Sequence, residues 1–282
     1  MSNLPNLVTH AGPVIEQAKG AIVDLWGVMH NGVAAFPEAV EALARFRAGR
    51  RAGVVLLSNA PRPSAVVRQQ LDRLGVPPSV YDAIVTSGDA TQLALTSRKG
   101  AAVRHIGPTR DMPLFEGLDL RLVPDLRDAD VIVCSGLVDD ETETAEDYRA
   151  LLEEAKGRDL ELVCANPDRI VARGDRTIPC AGAIARLYQD MGGKVEWHGK
   201  PHGSVYDRSL ALLGTAPGET IAIGDGIETD IPGANSQGIP ALLITGGVHA
   251  PLWGDPPDAA LLGAALADHG LAVAAAIDRL RW

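Results

Sequence analysis

The sequence of 282 residues has no long apolar run, few cysteines and no cluster of basic residues. Without an apolar run of roughly 20 residues, it offers no helix that could span a bilayer, and its opening lacks the basic and apolar parts of a signal peptide. We therefore expect a cytoplasmic protein. A formal net charge of -10, with no local excess of Lys or Arg, argues against nucleic acid or an anionic membrane as a partner.

The three cysteines, Cys134, Cys164 and Cys180, are far apart in the chain, and two of them lie in apolar runs typical of strands. Their odd number and positions predict buried, reduced thiols instead of disulfides or zinc ligands. A content of 46% hydrophobic and 22% charged residues excludes disorder and is enough for one large core or two smaller ones.

Short apolar runs alternate with amphipathic stretches of helical length, which is typical of an α/β fold. Strands are predicted at 21–28 and 52–60, each followed by a helix, so the sheet should be parallel and bind ligands beyond its carboxyl ends. Residues 88–193 have the pattern of a separate small α/β unit, and the first pattern resumes at 194 and ends in an Ala-rich helix. We expect one domain from 1–87 plus 194–282, with 88–193 inserted.

Polar residues follow two of these apolar runs. Asp24 ends the first, and Gly27 would let backbone amides approach a ligand, although an Asp that merely ends a strand is an equal alternative. Ser58 and Asn59 end the second, directly before a helix, where free N–H groups favour a bound anion. Ser and Asn are also common helix caps, so this signal alone is weak.

Two later segments add charge. Lys200 lies in HGKPHG, between a strand and a helix, where it is either a fixed positive charge or an ordinary solvated lysine. In TIAIGDGIETD, Asp225 follows an apolar strand and Asp230 comes five residues later. Two such carboxylates can hold a hard divalent cation, with Asp225 as the direct ligand. A dinucleotide-binding loop is the competing interpretation, but the segment lacks the full glycine spacing.

Taken together, DLWGVMHNG, LLSNA, GKP and GDGIETDI resemble the four motifs of the haloacid dehalogenase-like hydrolase superfamily, class IIA branch. Members of that branch include pyridoxal phosphate, phosphoglycolate and 4-nitrophenyl phosphatases. The segments CANPD (164–168) and PCAGAI (179–184) resemble landmarks of its cap domain. The resemblance implies a Rossmann-like parallel-sheet core domain with an inserted α/β cap, and caps of related proteins often pair, so we expect a homodimer.

The resemblance also implies roles for the residues at the strand ends. Asp24 would take up the phosphoryl group of a small phosphorylated metabolite, forming an aspartyl-phosphate. The phosphate oxygens would be held by Ser58, Asn59, Lys200 and Gly27. Mg²⁺ would be bound by Asp24, the Trp26 backbone carbonyl and Asp225, with Asp230 behind. A cation and a lysine would offset the repulsion between a carboxylate and a phosphate dianion.

One position departs from the pattern. In related phosphatases the residue two after the nucleophile is a second Asp, which protonates the leaving group, and here it is Trp26. General acid-base catalysis contributes about 10² to 10⁴-fold, so its loss would spare leaving groups of low pKa. His30 is a candidate replacement, with a packed histidine as the alternative. The substitution also leaves open a phosphate-binding protein of little activity, or a dehalogenase-type hydrolase.

Specificity should depend on the inserted unit, which would close over the site. Asn166 and Asp168 are candidates for its lining, although NPD is also an ordinary turn sequence. His198 and His202 flank Lys200, but without a carboxylate or Cys at matching spacing a second metal site is less favoured than loop histidines near the substrate. The sequence does not identify the substrate.

Overall fold

The structure, a computed structural model, describes residues 4–50, 52–174 and 176–282, without the side chains of residues 49 and 50. The strands of the described residues are β1 (Gly20–Asp24), β2 (Gly53–Ser58), β3 (Ala83–Thr86), β4 (Ala102–Ile106), β5 (Arg121–Leu122), β6 (Val131–Cys134), β7 (Glu161–Cys164), β8 (Ile170–Arg173), β9 (Arg176–Pro179), β10 (Lys194–Trp197), β11 (Thr220–Gly224), β12 (Ala241–Ile244) and β13 (Ala275–Ile277). The α-helices are α1 (Gly12–Ile15), α2 (Pro37–Arg50), α3 (Ser64–Leu74), α4 (Ser87–Leu95), α5 (Arg149–Gly157), α6 (Ala181–Asp190), α7 (Gly203–Leu213), α8 (Asp230–Ser236) and α9 (Ala259–Asp268).

The first sheet has the order β13-β12-β11-β1-β2-β3, and all of its pairings are parallel. Its central strands are rich in Val, Ile and Leu because helices cover both faces. Along β1, Ala21 and Val23 pack into one core while Ile22 packs into another on the opposite face. The same alternation continues in β2 and β11. The predicted α/β class with a parallel sheet is confirmed.

The second sheet has the order β10-β7-β6-β4-β5 and is also entirely parallel. It is built mainly from the middle of the chain and has its own cores on its two faces. One strand differs from the expectation, because Lys194–Trp197 pairs with β7 of this sheet and not with the first sheet. The chain therefore returns to the first sheet after Trp197, through the loop that carries Lys200.

Three local features differ from or add to the prediction. The first strand was expected to reach residue 28 but ends at Asp24, where Met29 and His30 donate backbone hydrogen bonds back to the Leu25 carbonyl. The Ala-rich helix predicted near the end of the chain is α9, but the chain continues into Ala275–Ile277, which pairs with β12 as a buried edge strand. The antiparallel hairpin β8–β9 was not expected at all.

Helix ends follow the local sequence. Gly75 and Gly214 end α3 and α7 in the left-handed conformation, which glycine adopts without steric cost. The Asp258 side chain accepts hydrogen bonds from the first turn of α9. The three cysteines are buried and unpaired, as predicted. Among the described residues, no helix is both long enough and apolar enough to cross a membrane.

Candidate active site

The carboxyl ends of three neighbouring strands carry the polar residues singled out in the sequence. Asp24 is the last residue of β1, Ser58 the last of β2, and Asp225 follows β11. Because β11, β1 and β2 are adjacent in the sheet, the three side chains line one cavity. Other predicted residues that line it are Trp26, Gly27, Asn59, Asp168, Lys200 and Asp230.

A cluster of three carboxylates forms the floor of this cavity. Asp24, Asp225 and Asp230 are all buried, and each offers an oxygen within 4.8 Å of the others. Lys200, which is 2% exposed, places its Nζ 2.5 Å from Asp24 Oδ1 and 2.9 Å from Asp230 Oδ1. One ammonium group therefore bridges two of the three carboxylates.

The electrostatics of this cluster are unbalanced. Burial and the neighbouring Asp230 raise the pKa of Asp24 well above its usual value, although Lys200 opposes this. Burial, with Asp230, raises the pKa of Asp225 to about 7. Burial would lower the pKa of Lys200, but Asp230 and Asp24 raise it well above its usual value. Asp24 and Asp225 therefore have too little positive charge near them, whereas the Lys200 ammonium stays protonated.

The cluster has the composition of a divalent cation site. Three ionised carboxylates and one ammonium carry a net formal charge of -2, and buried charge of one sign is costly unless it is neutralised. Carboxylate oxygens are also the ligands that hard divalent cations prefer. Among the described residues, this is the one group of potential metal ligands that comes together, and His198 and His202 are not part of it.

Glycines make room for these carboxylates. A Cβ at Gly27 would lie 2.2 Å from Asp225 Oδ2, and one at Gly247 only 1.9 Å from the same atom. The backbone N–H of Val248 donates to Asp225 Oδ2 at 2.9 Å and that of Gly226 to Asp230 Oδ2 at 3.1 Å. The Gly246–Gly247 pair after β12 is the sequence signal from which this wall of the site could have been predicted.

The Asn59 side chain holds the lysine loop in place. Its Oδ1 accepts a hydrogen bond from the Lys200 backbone N–H at 2.7 Å, and its Nδ2 donates to the Lys200 carbonyl at 3.2 Å and to Asp168 Oδ1 at 2.8 Å. Both ends of the amide are occupied, so the geometry favours a positioning role over direct phosphate binding. Ser58 Oγ accepts from the Ala60 N–H at 3.2 Å, which leaves its own hydroxyl proton free to donate.

Trp26 and His30 lie together, but only the first faces the cavity. Their rings meet edge to face, with centroids 4.9 Å apart. His30 is 1% exposed, its Nδ1 accepts a hydrogen bond from the Gly32 N–H at 3.1 Å, and burial lowers its pKa to about 4. It does not line the cavity with Asp24, so the geometry favours the packed histidine over a proton donor.

The hairpin β8–β9 forms the opposite wall. Residues 170–172 line the cavity, and the Gly174 N–H donates to the Asn31 carbonyl at 3.1 Å, joining the hairpin to the loop after β1. Asp168 lies at the start of this wall, and burial raises its pKa. Asn166 Oδ1 accepts from the Asp168 N–H at 3.0 Å and lines a neighbouring cavity. Arg169, Glu228 and His249 also line the site and were not predicted.

Comparison with known proteins identifies the family. A model of haloacid dehalogenase-like hydrolases matches residues 21–121, and a second, HAD-hydrolase-like model matches residues 197–273. The chain is 38% identical to a hydrolase of the haloacid dehalogenase-like family from Brucella suis 1330, with a TM-score of 0.87 over 97% of this chain and 100% of that chain. The chain belongs to the haloacid dehalogenase-like hydrolase family. The predicted family is therefore confirmed, and the protein is an enzyme of the hydrolase class.

Two other members of the family carry more specific names. The 5′-nucleotidase YutF of Bacillus subtilis (strain 168) is 26% identical over 231 residues, which are 82% of this chain and 88% of that protein. The glycerol phosphate phosphatase of Mycobacterium tuberculosis, solved in complex with calcium, is 25% identical, with a TM-score of 0.62 over 83% of this chain and 68% of that chain. The two names indicate different substrates, and what these substrates share is a phosphate ester.

Proposed function

We propose that the protein is a magnesium-dependent phosphatase of small phosphorylated metabolites that works through an aspartyl-phosphate on Asp24. The observation that carries this proposal is the buried cluster in which the Lys200 ammonium lies 2.5 Å from Asp24 beside two further carboxylates. The named relatives, which act on phosphate esters, support the same class of reaction. The activity is that of a phosphoric monoester hydrolase.

Asp24 is suited to attack a phosphorus atom. It stands at the tip of a central strand, in a cavity lined also by Ser58 and Gly27. The Ser58 hydroxyl and the Lys200 ammonium are the donors from which phosphate oxygens would be held, whereas the Gly27 N–H, predicted for the same role, donates to the His30 carbonyl at 2.9 Å. Donors fixed before the substrate arrives stabilise developing charge without reorganisation, and each such donor is typically worth about 10² to 10³ in rate.

Asp24, Asp225 and the Trp26 backbone carbonyl would hold Mg²⁺. Asp230 would stand behind them, because Lys200 and the Gly226 N–H already engage its oxygens. When bound, the cation would neutralise the carboxylates and the incoming phosphate dianion. The calcium-bound relative is consistent with a divalent cation in this family, and Mg²⁺ in particular is our proposal.

Residues 88–193 would act as the cap, with Lys194–Trp197 attached to it as the last strand of its sheet. The hairpin β8–β9 brings this unit over the cavity and would exclude water from it. Asp168, which bonds Asn59 from the cap side, would couple the cap to the lysine loop.

The leaving group would depart without the acidic side chain that related phosphatases carry two residues after the nucleophile, because Trp26 occupies that position. We therefore propose that esters with leaving groups of low pKa are turned over best. The same residue favours a second candidate function, a protein that binds a phosphorylated ligand and hydrolyses it little.

A panel of phosphate esters, assayed with and without Mg²⁺ beside an Asp24→Asn variant, tests the proposal. We expect magnesium-dependent phosphate release that the variant loses. The exposed Asp159→Asn variant is the control and should behave as the parent protein. Ligand and Mg²⁺ binding without turnover would favour the second candidate, and halide release from haloacids without metal would favour a dehalogenase.

A further inference from the structure

A second cavity adjoins the first. We call it the arginine cavity, and its charged lining residues are Arg62, Arg110, Asp111, Asp140, Asp168 and Arg173. It shares Trp26, Asp168 and Val171 with the cavity that contains Asp24. The two cavities are therefore neighbours that share three lining residues.

We propose that the arginine cavity binds a second anionic group of the substrate, so that the preferred substrates are phosphate monoesters carrying a carboxylate or a further phosphate. This inference rests on the proposed function and specifies its substrate class. The anion would be recognised by guanidinium groups, whose planar fork matches carboxylate and phosphate oxygens.

The surroundings of Arg62 are the strongest support for an anion site in the arginine cavity. Arg62 lies four residues after Ser58, and its side chain is only 18% exposed. Its Nε is buried and has no hydrogen-bond partner among the described residues, and the nearest carboxylate oxygen, Asp111 Oδ1, is 3.8 Å away. That distance is too long for a hydrogen bond. A buried guanidinium with unused donors is costly unless a ligand supplies the acceptors.

The other two arginines share one acceptor. Arg110 and Arg173 both bond the same carboxylate, Asp140, the latter at 2.9 Å through Nη2. A guanidinium has five N–H donors, so sharing one carboxylate leaves several of them unused. Burial lowers the pKa of Arg62, Asp111 opposes this, and the positive charges of Arg110 and Arg173 lower it further. An anion placed among them would relieve this repulsion.

The acidic residues of the cavity offset only part of this charge at Arg62, because Asp111 pairs with it at 3.8 Å without a hydrogen bond. Asp140 is held by the two cap arginines, and Asp168 accepts from Asn59 on the side of the first cavity. Asp111 is buried, which raises its pKa, and it is beyond hydrogen-bond reach of Arg62. Arg62 lies in the loop after β2 of the first sheet, whereas Arg110 and Arg173 come from the inserted unit. A second anion would thus be held from both sides.

The test compares substrates that share a carbon skeleton and differ in one anionic group. The first pair is 3-phosphoglycerate and glycerol 3-phosphate, and the second is fructose 1,6-bisphosphate and fructose 6-phosphate. We expect kcat/KM to be higher for the more anionic member of at least one pair. The first pair reports a carboxylate, and the second a phosphate.

Arg62→Gln should reduce that preference by about 10- to 100-fold, because the charged hydrogen bonds are lost. Arg62→Lys should recover part of it, since it keeps the charge but not the fork. Arg173→Gln, on the opposite wall, should act in the same direction. Arg127→Gln, whose side chain is 77% exposed elsewhere on the inserted unit, is the control and should keep the parent's preference.

Calorimetric binding to the Asp24→Asn variant separates this inference from the proposed function. Tighter binding of 3-phosphoglycerate or of fructose 1,6-bisphosphate than of its partner supports the inference even if the parent protein turns over neither. Magnesium-dependent hydrolysis of 4-nitrophenyl phosphate, together with equal kcat/KM within both pairs, would overturn the inference and leave the proposed function standing. A preference that survives in both Arg62→Gln and Arg173→Gln would also overturn it.

Discussion

Replacing Lys200 by Met should separate metal binding from catalysis. The parent lysine lies 2.5 Å from Asp24 and 2.9 Å from Asp230, so the variant changes the formal charge of the cluster from -2 to -3. At an effective dielectric constant near 20, a unit charge about 4 Å away contributes roughly 4 kcal/mol, which is enough to change cation affinity at least ~10-fold. The variant should therefore bind Mg²⁺ more tightly than the parent.

Its turnover should fall nonetheless. Among the residues that the structure describes, Lys200 is the one ammonium in contact with Asp24, and losing a preorganised donor costs about 10² to 10³-fold in kcat. Calorimetry with Mg²⁺ and kcat with 4-nitrophenyl phosphate, both measured above pH 7, give the two quantities. Lys194→Met removes an exposed lysine and serves as the control. Weaker Mg²⁺ binding in the Lys200→Met variant, or unchanged kcat, would refute the electrostatic reasoning.

Three further perturbations test other parts of the site. Trp26→Asp should raise kcat for alkyl phosphates by about 10²-fold or more relative to 4-nitrophenyl phosphate, because only alkyl leaving groups need a proton. An unchanged ratio of the two kcat values would contradict the claim that the parent protein lacks a general acid at position 26. Without metal, stability should fall as pH rises from about 4 to about 7, because the folded state keeps a proton on Asp225, whose pKa is about 7, that the unfolded state releases near 3.8. Thermal unfolding of Asp225→Asn should show a shallower pH dependence, and an identical one would contradict the raised pKa. Gly247→Ala should weaken Mg²⁺ binding by displacing Asp225, whereas Gly218→Ala, where a Cβ would have no neighbour within 4 Å, should not. Equal Mg²⁺ affinities of the two variants would show that the loop at Gly247 accommodates a Cβ without moving Asp225.

The residues at the strand tips were predictable because each follows an apolar run. Buried parallel strands read as Val, Ile and Leu, so a polar residue that ends one marks the edge where ligands bind. Asp24, Ser58 and Asp225 were found in this way, and the structure brings them together with Lys200 and Asp230 in one cavity. Their adjacency also required the strand order, which the sequence pattern left open and the structure provides.

Features that depend on contacts distant in the sequence were not predictable. Asn59 holds the backbone of Lys200, 141 residues later, and nothing near Asn59 in the sequence indicates that partner. His30 was a reasonable proton donor by its residue type, but the tight turn after β1 buries it behind Trp26. Ala275–Ile277 has a helical composition, yet pairing with β12 outweighs that weak preference.

The arginine cavity shows the same limit. Arg62, Arg110 and Arg173 come from three separate segments, and none of them belongs to a motif that the sequence analysis singled out. Only the folded chain brings them to one cavity. Specificity determinants of this kind are thus harder to predict than the residues at the strand tips.

A crystal structure grown with Mg²⁺ and beryllofluoride, which mimics a phosphoryl group on a carboxylate, tests the central claim most directly. We predict a tetrahedral adduct on Asp24, contacted by Lys200 and Ser58, with the cation bound by Asp24 and Asp225. An adduct on another side chain, or a cation bound away from these two carboxylates, would contradict the account.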